Sequence, residues 1–252
     1  MLHREDCGGI TILRLDHGKA HALDLELARA LGETITDLEQ EAVRALVLTG
    51  TGGIFSAGVD LHRLLDGGPA YARAFVPALV DAFARLFAFP RPAIAAVNGH
   101  AIAGGCVLAA ACDYRLMADG DGTIGVPELR VGVPFPLIAI EILRFATSTA
   151  HLQELVYRGS TYAVSDAYER GLVDEIVPRE ALRERALAVA DRLASEPAGR
   201  FQITKRQLRG PTIASIRRHA GETDAAVVAA WEDPATVAAI RAYVDSLRMR
   251  TR

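Results

Sequence analysis

The chain has few cysteines, no block of charge of either sign and no uninterrupted hydrophobic run long enough to cross a membrane. Its three cysteines, Cys7, Cys106 and Cys112, form no Cys-x-x-Cys pair, which argues against a disulfide framework and favours reduced thiols. The seven histidines are scattered without a His-Glu-x-x-His spacing, so we expect no metal site. The net charge of −3 comes from interspersed acidic and basic residues, and we expect no nucleic-acid partner.

The most apolar stretch, Ala93–Ala111, is interrupted by Asn98, His100 and several glycines. A buried strand, loop and helix account for such a pattern better than a bilayer crossing does. The first residues, Met1–Cys7, contain no apolar signal segment. The sequence therefore predicts a cytoplasmic protein that makes no membrane contact.

Half of the residues are hydrophobic, and a chain of 252 residues is long enough to bury one large core. Strand patterns alternate with helical patterns over the first two thirds, which predicts crossover connections and mostly parallel pairing. The C-terminal part contains helical patterns only. We therefore predict an α/β fold with a core domain over residues 1–190 and a C-terminal helical region over residues 191–252.

Local patterns predict several elements with their ends. Asp24–Leu38 places apolar residues on one helical face, and Asp24 is the expected N-cap. A turn is predicted at Asp66–Pro69, followed by a helix over Tyr71–Phe89 that bends near Pro77. The other predicted elements are strands over Ile10–Asp16, Ala45–Thr49, Ala93–Val97 and Asp113–Ala118, an irregular segment over Thr123–Leu129, and helices over Gly104–Ala111, Glu180–Ala194 and Pro234–Leu247.

Two loops rich in glycine and alanine carry most of the functional information. Gly50–Leu61 and Ala96–Cys106 each follow a predicted strand and each lead into a helical pattern. Small residues let a ligand approach the main chain closely, and a helix N-terminus adds partial positive charge. Two such turns can bring two free backbone N–H groups together, which is what an enzyme needs to stabilise a developing oxyanion.

These loops also carry a family resemblance. Phe55-Ser-Ala-Gly-Val-Asp-Leu61 and Asn98-Gly-His-Ala-Ile-Ala-Gly-Gly-Cys106 resemble the crotonase (enoyl-CoA hydratase/isomerase) superfamily. The resemblance continues through Cys112-Asp113, Gly125–Leu129, Ala167–Asp174 and Ile203–Lys205. It implies a ClpP/crotonase-like fold of repeated ββα units in two nearly perpendicular sheets, a C-terminal helical region used in trimerisation, and an acyl-CoA substrate.

The resemblance also implies roles for individual positions. The backbone N–H groups of Val59 and Gly104 are the expected oxyanion donors. The residues expected to contact the CoA thioester are Ala20, His21, Ala22, Ala57, Gly58, Asp60, Leu61, Gly105 and Lys205. His21 stands where relatives usually have asparagine. Lys205 is expected either to meet CoA phosphates, including those of a neighbouring subunit's ligand, or to be a solvated lysine beside Arg206.

The acid and base residues decide which reaction the resemblance favours. Hydratases of this family carry one glutamate three residues into the helix that follows the oxyanion glycine, and a second in a later Pro-Glu segment. The first position is Val107 in this chain, which can neither accept a proton nor orient a water; the second is Glu128. Two carboxylates suit hydration, whereas one carboxylate facing an enolate suits a shift of a double bond.

We therefore expect an enzyme of fatty acid metabolism that isomerises 3-enoyl-CoA to trans-2-enoyl-CoA, with Glu128 as the proton shuttle. The sequence around this residue resembles that of the Δ3,Δ2-enoyl-CoA isomerase branch. Hydration of 2-enoyl-CoA is the alternative reaction, and an inactive acyl-CoA-binding protein is the alternative of another class. The resemblance implies a homotrimer or a hexamer made of two trimers, and no cofactor beyond the coenzyme A of the substrate.

Two further residues are weaker candidates for proton transfer. Glu141 lies in an apolar run and could replace the missing glutamate, although a local pair with Arg144 is the commoner arrangement for such a residue. His100 lies near the second loop, where a structural hydrogen bond is the favoured role over acid/base work. Trp231 is expected to be a packing anchor near the C-terminus.

Overall fold

Four successive ββα units form the first part of the chain in this computed structural model, which describes residues 1–41, 43–196 and 199–250. Their elements are β1 (Leu2–Cys7), β2 (Ile10–Leu15) and α1 (Leu25–Gln40); β3 (Ala45–Gly50), β4 (Ile54–Ser56) and α2 (Leu61–Ala88); β5 (Ala93–Val97), β6 (His100–Ile102) and α3 (Gly104–Ala111); and β7 (Tyr114–Ala118), β8 (Thr123–Gly125) and α4 (Glu128–Val131). The expected fold of repeated ββα units is confirmed.

Helices dominate the remainder of the chain. The elements there are α5 (Leu137–Ala146), α6 (Thr149–Tyr157), β9 (Thr161–Ala163), α7 (Val164–Glu169), β10 (Glu175–Val177), a 3₁₀ turn (Arg179–Ala181), α8 (Leu182–Ala194), α9 (Arg200–Glu232) and α10 (Pro234–Arg250). The prediction that about the last 60 residues contain helices only is confirmed for those of them that the structure describes, in α8, α9 and α10. No helix in that described part of the chain is long and apolar enough to cross a membrane.

The strands form two sheets. The larger has the order β1-β2-β3-β5-β7-β10 and the smaller has the order β4-β6-β8-β9. Neighbours pair in parallel except β1 with β2 and β8 with β9. From the second unit to the fourth, the first strand joins the large sheet and the second strand joins the small sheet. The loops that connect the two sheets therefore recur on the same side of the molecule.

Alternation along the strands of the large sheet separates two apolar cores. Val47 and Ile94 face α8 on one side, whereas Leu46 and Leu48 face the main core beneath α1, α2 and α3. Burial of both faces explains why these strands are apolar throughout rather than half polar. β1, in contrast, has mostly exposed side chains at the sheet edge, and the sequence analysis did not predict it.

α1 confirms its predicted N-terminus. The Asp24 carboxylate accepts a hydrogen bond from the Leu27 backbone N–H at 2.8 Å, and the helix begins at the next residue after Asp24. Its buried face includes Leu31 and Ile35, which pack against α2 in the main core. A side-chain cap of this kind typically stabilises a helix by about 1 kcal/mol.

α2 differs from its prediction at both its start and its break. It begins at Leu61, where the Asp60 carboxylate accepts hydrogen bonds from the N–H groups of His62 and Arg63. The backbone leaves helical geometry at Gly68, with φ 60°, ahead of the bend predicted near Pro77. The residue before a proline avoids the helical region, and Gly68 precedes Pro69, so the break follows from local chemistry.

The segment predicted to be irregular, Thr123–Leu129, contains β8 and the start of α4. β8 is held by its neighbours rather than by its own pattern, because it pairs with β6 and with β9. Further along, α9 packs against α2 and α5. The division into residues 1–190 and 191–252 stays a prediction; positions 197, 198, 251 and 252 lie outside the described residues.

Candidate active site

The two glycine-rich loops are in van der Waals contact. Gly58 has φ 80°, and a Cβ atom built on it would lie 2.6 Å from the Ala103 Cβ and 3.0 Å from the Gly104 nitrogen. Only a residue without a side chain fits between the loops with this backbone conformation. The loop that follows β4 and the turn that follows β6 therefore meet at Gly58 and Gly104.

The segment before α1 orients the first loop. Leu23 donates its N–H to the Gly58 carbonyl at 2.7 Å and accepts the Asp60 N–H at 3.0 Å. This is a short parallel bridge, in which the residue between the two bonded groups turns its own N–H the other way. That residue is Val59, and none of the described residues accepts a hydrogen bond from its N–H.

In the second loop, a residue with a strained backbone conformation precedes Gly104, whose N–H is the donor. Ala103 has φ 53° and ψ −124°, a region that residues other than glycine rarely adopt. Its N–H is fixed to the Gly125 carbonyl at 2.8 Å. α3 then begins at Gly104, whose N–H has no acceptor within the part of the chain described, so the helix N-terminus offers an unpaired donor.

A cavity of about 720 Å³ lies over these two donors. Its lining near the loops includes Val59, Gly104, Val107 and Glu128. The other side chains and backbone groups that line it are His17, Gly18, Lys19, Ala20, Ala22, Ala57, Asp60, Leu61, His62, Leu79, Phe83, Ile102, Ala103, Pro127, Val131, Val133, Pro134, Phe135, Pro136, Ala139, Trp231, Tyr243, Val244 and Leu247. A mostly apolar cavity with few polar groups is typical of a small-molecule site.

Glu128 is a buried carboxyl in this cavity. It stands at the start of α4 and is 9% exposed, and no described group forms a hydrogen bond with its Oε2 atom. Burial raises the pKa of Glu128 to about 8, because removal from water disfavours the charged form. A carboxyl with a pKa near neutrality can both take up and release a proton under physiological conditions.

Asp60 is the only other carboxylate among the described residues that line the cavity, and it is already engaged. Its Oδ1 accepts the N–H groups of His62 and Arg63, each at 3.0 Å, as the N-cap of α2. Val107 also lines the cavity, and its aliphatic side chain has no group that can take up or release a proton. The geometry therefore brings together one carboxyl of raised pKa and two unpaired backbone donors.

The residues predicted to contact the thioester divide into two groups. Those that line the cavity are Ala20, Ala22, Ala57, Asp60 and Leu61. His21 is only 4% exposed and has φ 50°, a conformation in which histidine and asparagine are enriched. Its Nδ1 accepts the His17 N–H at 3.1 Å, and its Nε2 lies 2.9 Å from the Thr51 carbonyl oxygen. The side chain at this position therefore braces the loops.

The remaining predicted positions are packed beneath or away from the cavity. Gly58 and Gly105 allow close backbone contact, since a Cβ atom on Gly105 would lie 2.4 Å from the Ser56 carbonyl oxygen. Lys205 is 7% exposed, and its Nζ lies 2.6 Å from Asp113 Oδ2. Burial lowers the pKa of Lys205 to about 8, against the opposing effect of Asp113.

The alternative that made Lys205 a solvated lysine is wrong, because the ammonium is buried in an ion pair. Contact of Lys205 with CoA phosphates stays a prediction. Glu141 does not line the cavity and pairs with Arg144 at 3.3 Å, the local arrangement that the sequence favoured. His100 lies outside the cavity lining as well, with its Nδ1 3.0 Å from Thr123 Oγ1.

The C-terminal helices supply a wall that sequence reasoning missed. Trp231, expected only to pack, lines the cavity and donates its Nε1–H to the Pro134 carbonyl at 3.1 Å. Tyr243 and Leu247 of α10 line it too. No short-range signal shows that these residues meet a loop so distant in the chain. No group of three or more His, Cys, Asp or Glu residues able to hold a metal ion occurs among the described residues.

An α/β fold of repeated ββα units that presents two backbone N–H groups and one buried carboxyl in an apolar cavity is the architecture expected of a crotonase. The family model for enoyl-CoA hydratase/isomerase matches residues 5–241. The chain therefore belongs to the enoyl-CoA hydratase/isomerase family of enzymes, within the crotonase superfamily.

Individual relatives carry both of the activities in that family description. The chain is 30% identical to the mitochondrial enoyl-CoA delta isomerase 1 of Rattus norvegicus over 217 residues, which cover 84% of this chain and 74% of the rat protein. It is 34% identical to a putative enoyl-CoA hydratase of Thermus thermophilus over 197 residues, 77% of each chain. Overall identity at this level does not separate isomerase from hydratase.

Solved structures show the same fold. The crystal structure of human mitochondrial Δ3-Δ2-enoyl-CoA isomerase superimposes with a TM-score of 0.94, covering 100% of this chain and 99% of the human chain at 24% identity. A probable enoyl-CoA hydratase EchA3 of Mycobacterium tuberculosis superimposes with a TM-score of 0.83 at 28% identity, covering 89% and 94%. The predicted crotonase fold is confirmed, including its C-terminal helices.

Proposed function

We propose that this enzyme isomerises 3-enoyl-CoA to trans-2-enoyl-CoA, with Glu128 as its one base and acid. The observation that carries the proposal is that Glu128 and Val107 both line the cavity, so that a carboxyl stands at one of these two positions and an aliphatic side chain at the other. Hydration needs a group that activates water and a second that manages the other proton, whereas isomerisation needs one group to remove a proton and return it. Asp60, the other carboxylate of the lining, already accepts two backbone N–H groups as the N-cap of α2, and its side chain replaces neither Val107 nor Glu128 in the proposal.

The proton transfer balances with Glu128 alone. The ionised carboxylate removes a proton from C2 of the 3-enoyl thioester, and the electrons of that C–H bond form a dienolate with negative charge on the thioester oxygen. The dienolate then takes the same proton from Glu128 at C4, which leaves the double bond between C2 and C3 and restores the carboxylate. No atom is gained or lost, so we propose that the reaction uses no cofactor beyond the coenzyme A of the substrate.

The N–H groups of Val59 and Gly104 are proposed to hold the thioester oxygen. Neither N–H has an acceptor among the described residues, and both border the cavity. Donors fixed in advance stabilise a developing oxyanion more than water does, and each is typically worth about 10²–10³ in rate. The Gly104 donor gains from the positive end of α3 as well.

The CoA moiety is proposed to lie along Ala20, Ala22 and Ala57, where the backbone borders the cavity beside Lys19. A lysine there suits the negative charge of phosphates. His21 and Gly105 support this surface rather than touch the ligand. The proposed assembly is a homotrimer or a hexamer made of two trimers, and the proposed location is the cytoplasm.

Hydration is the second candidate, because the relative from Thermus thermophilus at 34% identity is a putative enoyl-CoA hydratase. An acyl-CoA-binding protein without catalysis is the alternative outside enzymes, and Val107 is the residue that motivates it. Each makes a different expectation for the same substrates, so one experiment separates all three.

The test follows purified wild type and Glu128→Gln with a 3-enoyl-CoA and, separately, with a trans-2-enoyl-CoA. Products are resolved by chromatography and mass. We expect conversion of the 3-enoyl to the isobaric 2-enoyl, reduced by about 10²–10⁴ in the variant, with Glu141→Gln as a control that keeps wild-type turnover. Addition of water to the 2-enoyl would instead support the hydratase, and binding without turnover would support the inactive protein.

A further inference from the structure

Two basic side chains of α9 are buried at the C-terminal end of α3, the helix that begins at Gly104. Lys205 and Arg209 are four residues apart, so they project from the same face of α9. They are 7% and 3% exposed. Lysine and arginine are almost never buried to this extent unless they are paired, so the groups they contact define what they do.

Arg209 holds the C-terminal end of α3. It donates to the Ala111 carbonyl at 2.8 Å and to the Cys112 carbonyl at 3.0 Å, which are the last residue of the helix and its C-cap. Carbonyls at this end have no partner within the helix, and a cation there is favourable. The same guanidinium donates to the Phe87 carbonyl at 2.6 Å, near the end of α2. One side chain therefore fixes two helix ends together.

Asp113 connects this arrangement to the large sheet. Its Oδ1 lies 2.8 Å from Arg209 Nη2, and its Oδ2 lies 2.6 Å from Lys205 Nζ. The Oδ2 atom also accepts the backbone N–H of Ala93, the first residue of β5, at 2.8 Å. Both carboxylate oxygens are thus used, and both buried cations are neutralised by a group that also anchors β5.

The arrangement fixes both arms of the unit that carries the second loop. β5 runs from Ala93 toward that loop, and α3 runs back from Gly104 to Ala111. α3 has eight residues, so it is about 12 Å long, and all of them are buried. A short helix packed on every side moves as a rigid body, so a displacement of its C-terminal end reaches the Gly104 N–H.

We propose that Arg209 is a positioning residue for the reaction, which sets the place of the Gly104 N–H by fixing the C-terminal end of α3. The proposal rests on the oxyanion role of Gly104 proposed above. Arg209 is absent from the lining of the cavity and so acts through the helix. A misplacement of about 1 Å in such a donor costs up to 10²-fold in rate.

The first test compares Arg209→Lys with Arg206→Lys, an exposed neighbour on the same helix. Lysine keeps the charge but has no planar fork to hold three carbonyls at once. The measurements are kcat, KM and the thioester carbonyl stretch of bound trans-2-octenoyl-CoA carrying ¹³C at that carbonyl. For Arg209→Lys we expect kcat to be about 10- to 100-fold lower and KM to be essentially unchanged. We also expect the frequency of the carbonyl stretch to move back toward its value for the ligand in water. Arg206→Lys should match the wild type.

A second variant guards against loss of folding. Arg209 also borders a surface groove beside Arg206 and Gly210, so a small cation can enter the space left in Arg209→Ala. We expect ethylguanidinium to restore at least about one tenth of the wild-type kcat and ethylammonium to restore none, because only the former offers the planar donors. A purely stabilising role would raise the melting temperature with either cation and leave the stretch of the folded fraction unchanged.

The outcomes separate this proposal from the function on which it rests. A wild-type enzyme that isomerises its substrate without any shift of the carbonyl stretch on binding would overturn the oxyanion role of Gly104 and the positioning role with it. A normal shift in the wild type, with the same kcat and the same shift in folded Arg209→Lys, would overturn the positioning role alone.

Discussion

Glu128 and Val107 line the same cavity beside Gly104, and only Glu128 can carry a proton. The two side chains come from different units, since Val107 lies on α3 and Glu128 begins α4. Burial raises the pKa of Glu128 to about 8, and we propose this carboxyl as the proton carrier of the reaction.

The pH dependence follows from the pKa of Glu128. In the proposed reaction the ionised form of Glu128 is the base, and the pKa of this carboxyl lies at about 8. We expect kcat/KM for a 3-enoyl-CoA to rise about tenfold per pH unit below that value and to level off above it. Initial rates from pH 5.5 to about 9.5 give the profile. A plateau already present at pH 6 would show that the free enzyme holds this group ionised.

The same group makes folding stability depend on pH. The pKa of Glu128 is raised from 4.5 in the unfolded chain to about 8 in the folded one, so the folded state binds the extra proton between these values. Stability contributed by the protonated carboxyl is complete below about pH 4.5 and is lost as pH rises through 8. Unfolding free energies of wild type and Glu128→Gln should therefore diverge from pH 5 to about 8, in favour of the variant. Parallel curves would contradict the raised pKa.

A carboxyl placed at position 107 tests whether Val107 is the reason that the enzyme would not add water to its substrate. Val107→Glu should create measurable addition of water to trans-2-enoyl-CoA, at least about tenfold above the wild type, because a second proton carrier would face the substrate. Val107 is 1% exposed, so the new polar group should destabilise the fold by about 1–3 kcal/mol. Val107→Gln is the matched control, since it has the same size without a proton to transfer. Hydration by both variants or by neither would remove Val107 as the determinant.

The contact between the two loops predicts that one methyl group added at Gly58 lowers the activity. In Gly58→Ala the added Cβ would lie 2.6 Å from the Ile102 carbonyl oxygen, at φ 80°, so the Val59 and Gly104 donors should separate. We expect kcat/KM to fall by about 10²–10³. Gly8→Ala is the control, because Gly8 has φ 66° with open space around its Cβ position. It should show the strain in stability without the loss of activity, and equal losses in the two variants would refute the loop explanation.

Local signals predicted the parts of the fold that local chemistry determines. The Asp24 cap and the extent of α3 followed from capping preference and from the glycines at Gly104. The strands of the small sheet have three residues each, too few for a periodic pattern, and their pairing partners come from other units. Sequence reading therefore yielded the first strand of each later unit and missed the second.

The candidate site divides in the same way. Glu128 and the two loops were predicted because each belongs to a contiguous motif. The burial of Lys205 was not, because it depends on Asp113, which lies far away in the chain. The part played by Trp231 in the cavity wall depends likewise on contact between α9 and the loop at Pro134. Contacts between distant segments are what a single sequence does not reveal.

We expect that wall to limit the length of the acyl chain that the cavity accepts. Trp231 is 3% exposed, and its ring lies 6.2 Å from that of Phe75 between centroids, so it fills space at the side of the cavity formed by the C-terminal helices. Trp231→Leu should enlarge this space and move the optimum of kcat/KM toward longer 3-enoyl-CoA substrates, at a stability loss of about 2–4 kcal/mol. Kinetics over a series from hexenoyl- to tetradecenoyl-CoA measure the shift.

Trp231→Phe is the control for that variant, because it removes the hydrogen bond to Pro134 while it keeps an aromatic ring in place. It should be destabilised by about 1 kcal/mol and retain a chain-length profile near that of the wild type. An unchanged profile in Trp231→Leu would mean that the acyl chain leaves the catalytic groups in another direction, toward Phe135 and Ala139. In that case Ala139→Leu should shorten the preferred chain, because it would fill the remaining apolar part of the same cavity.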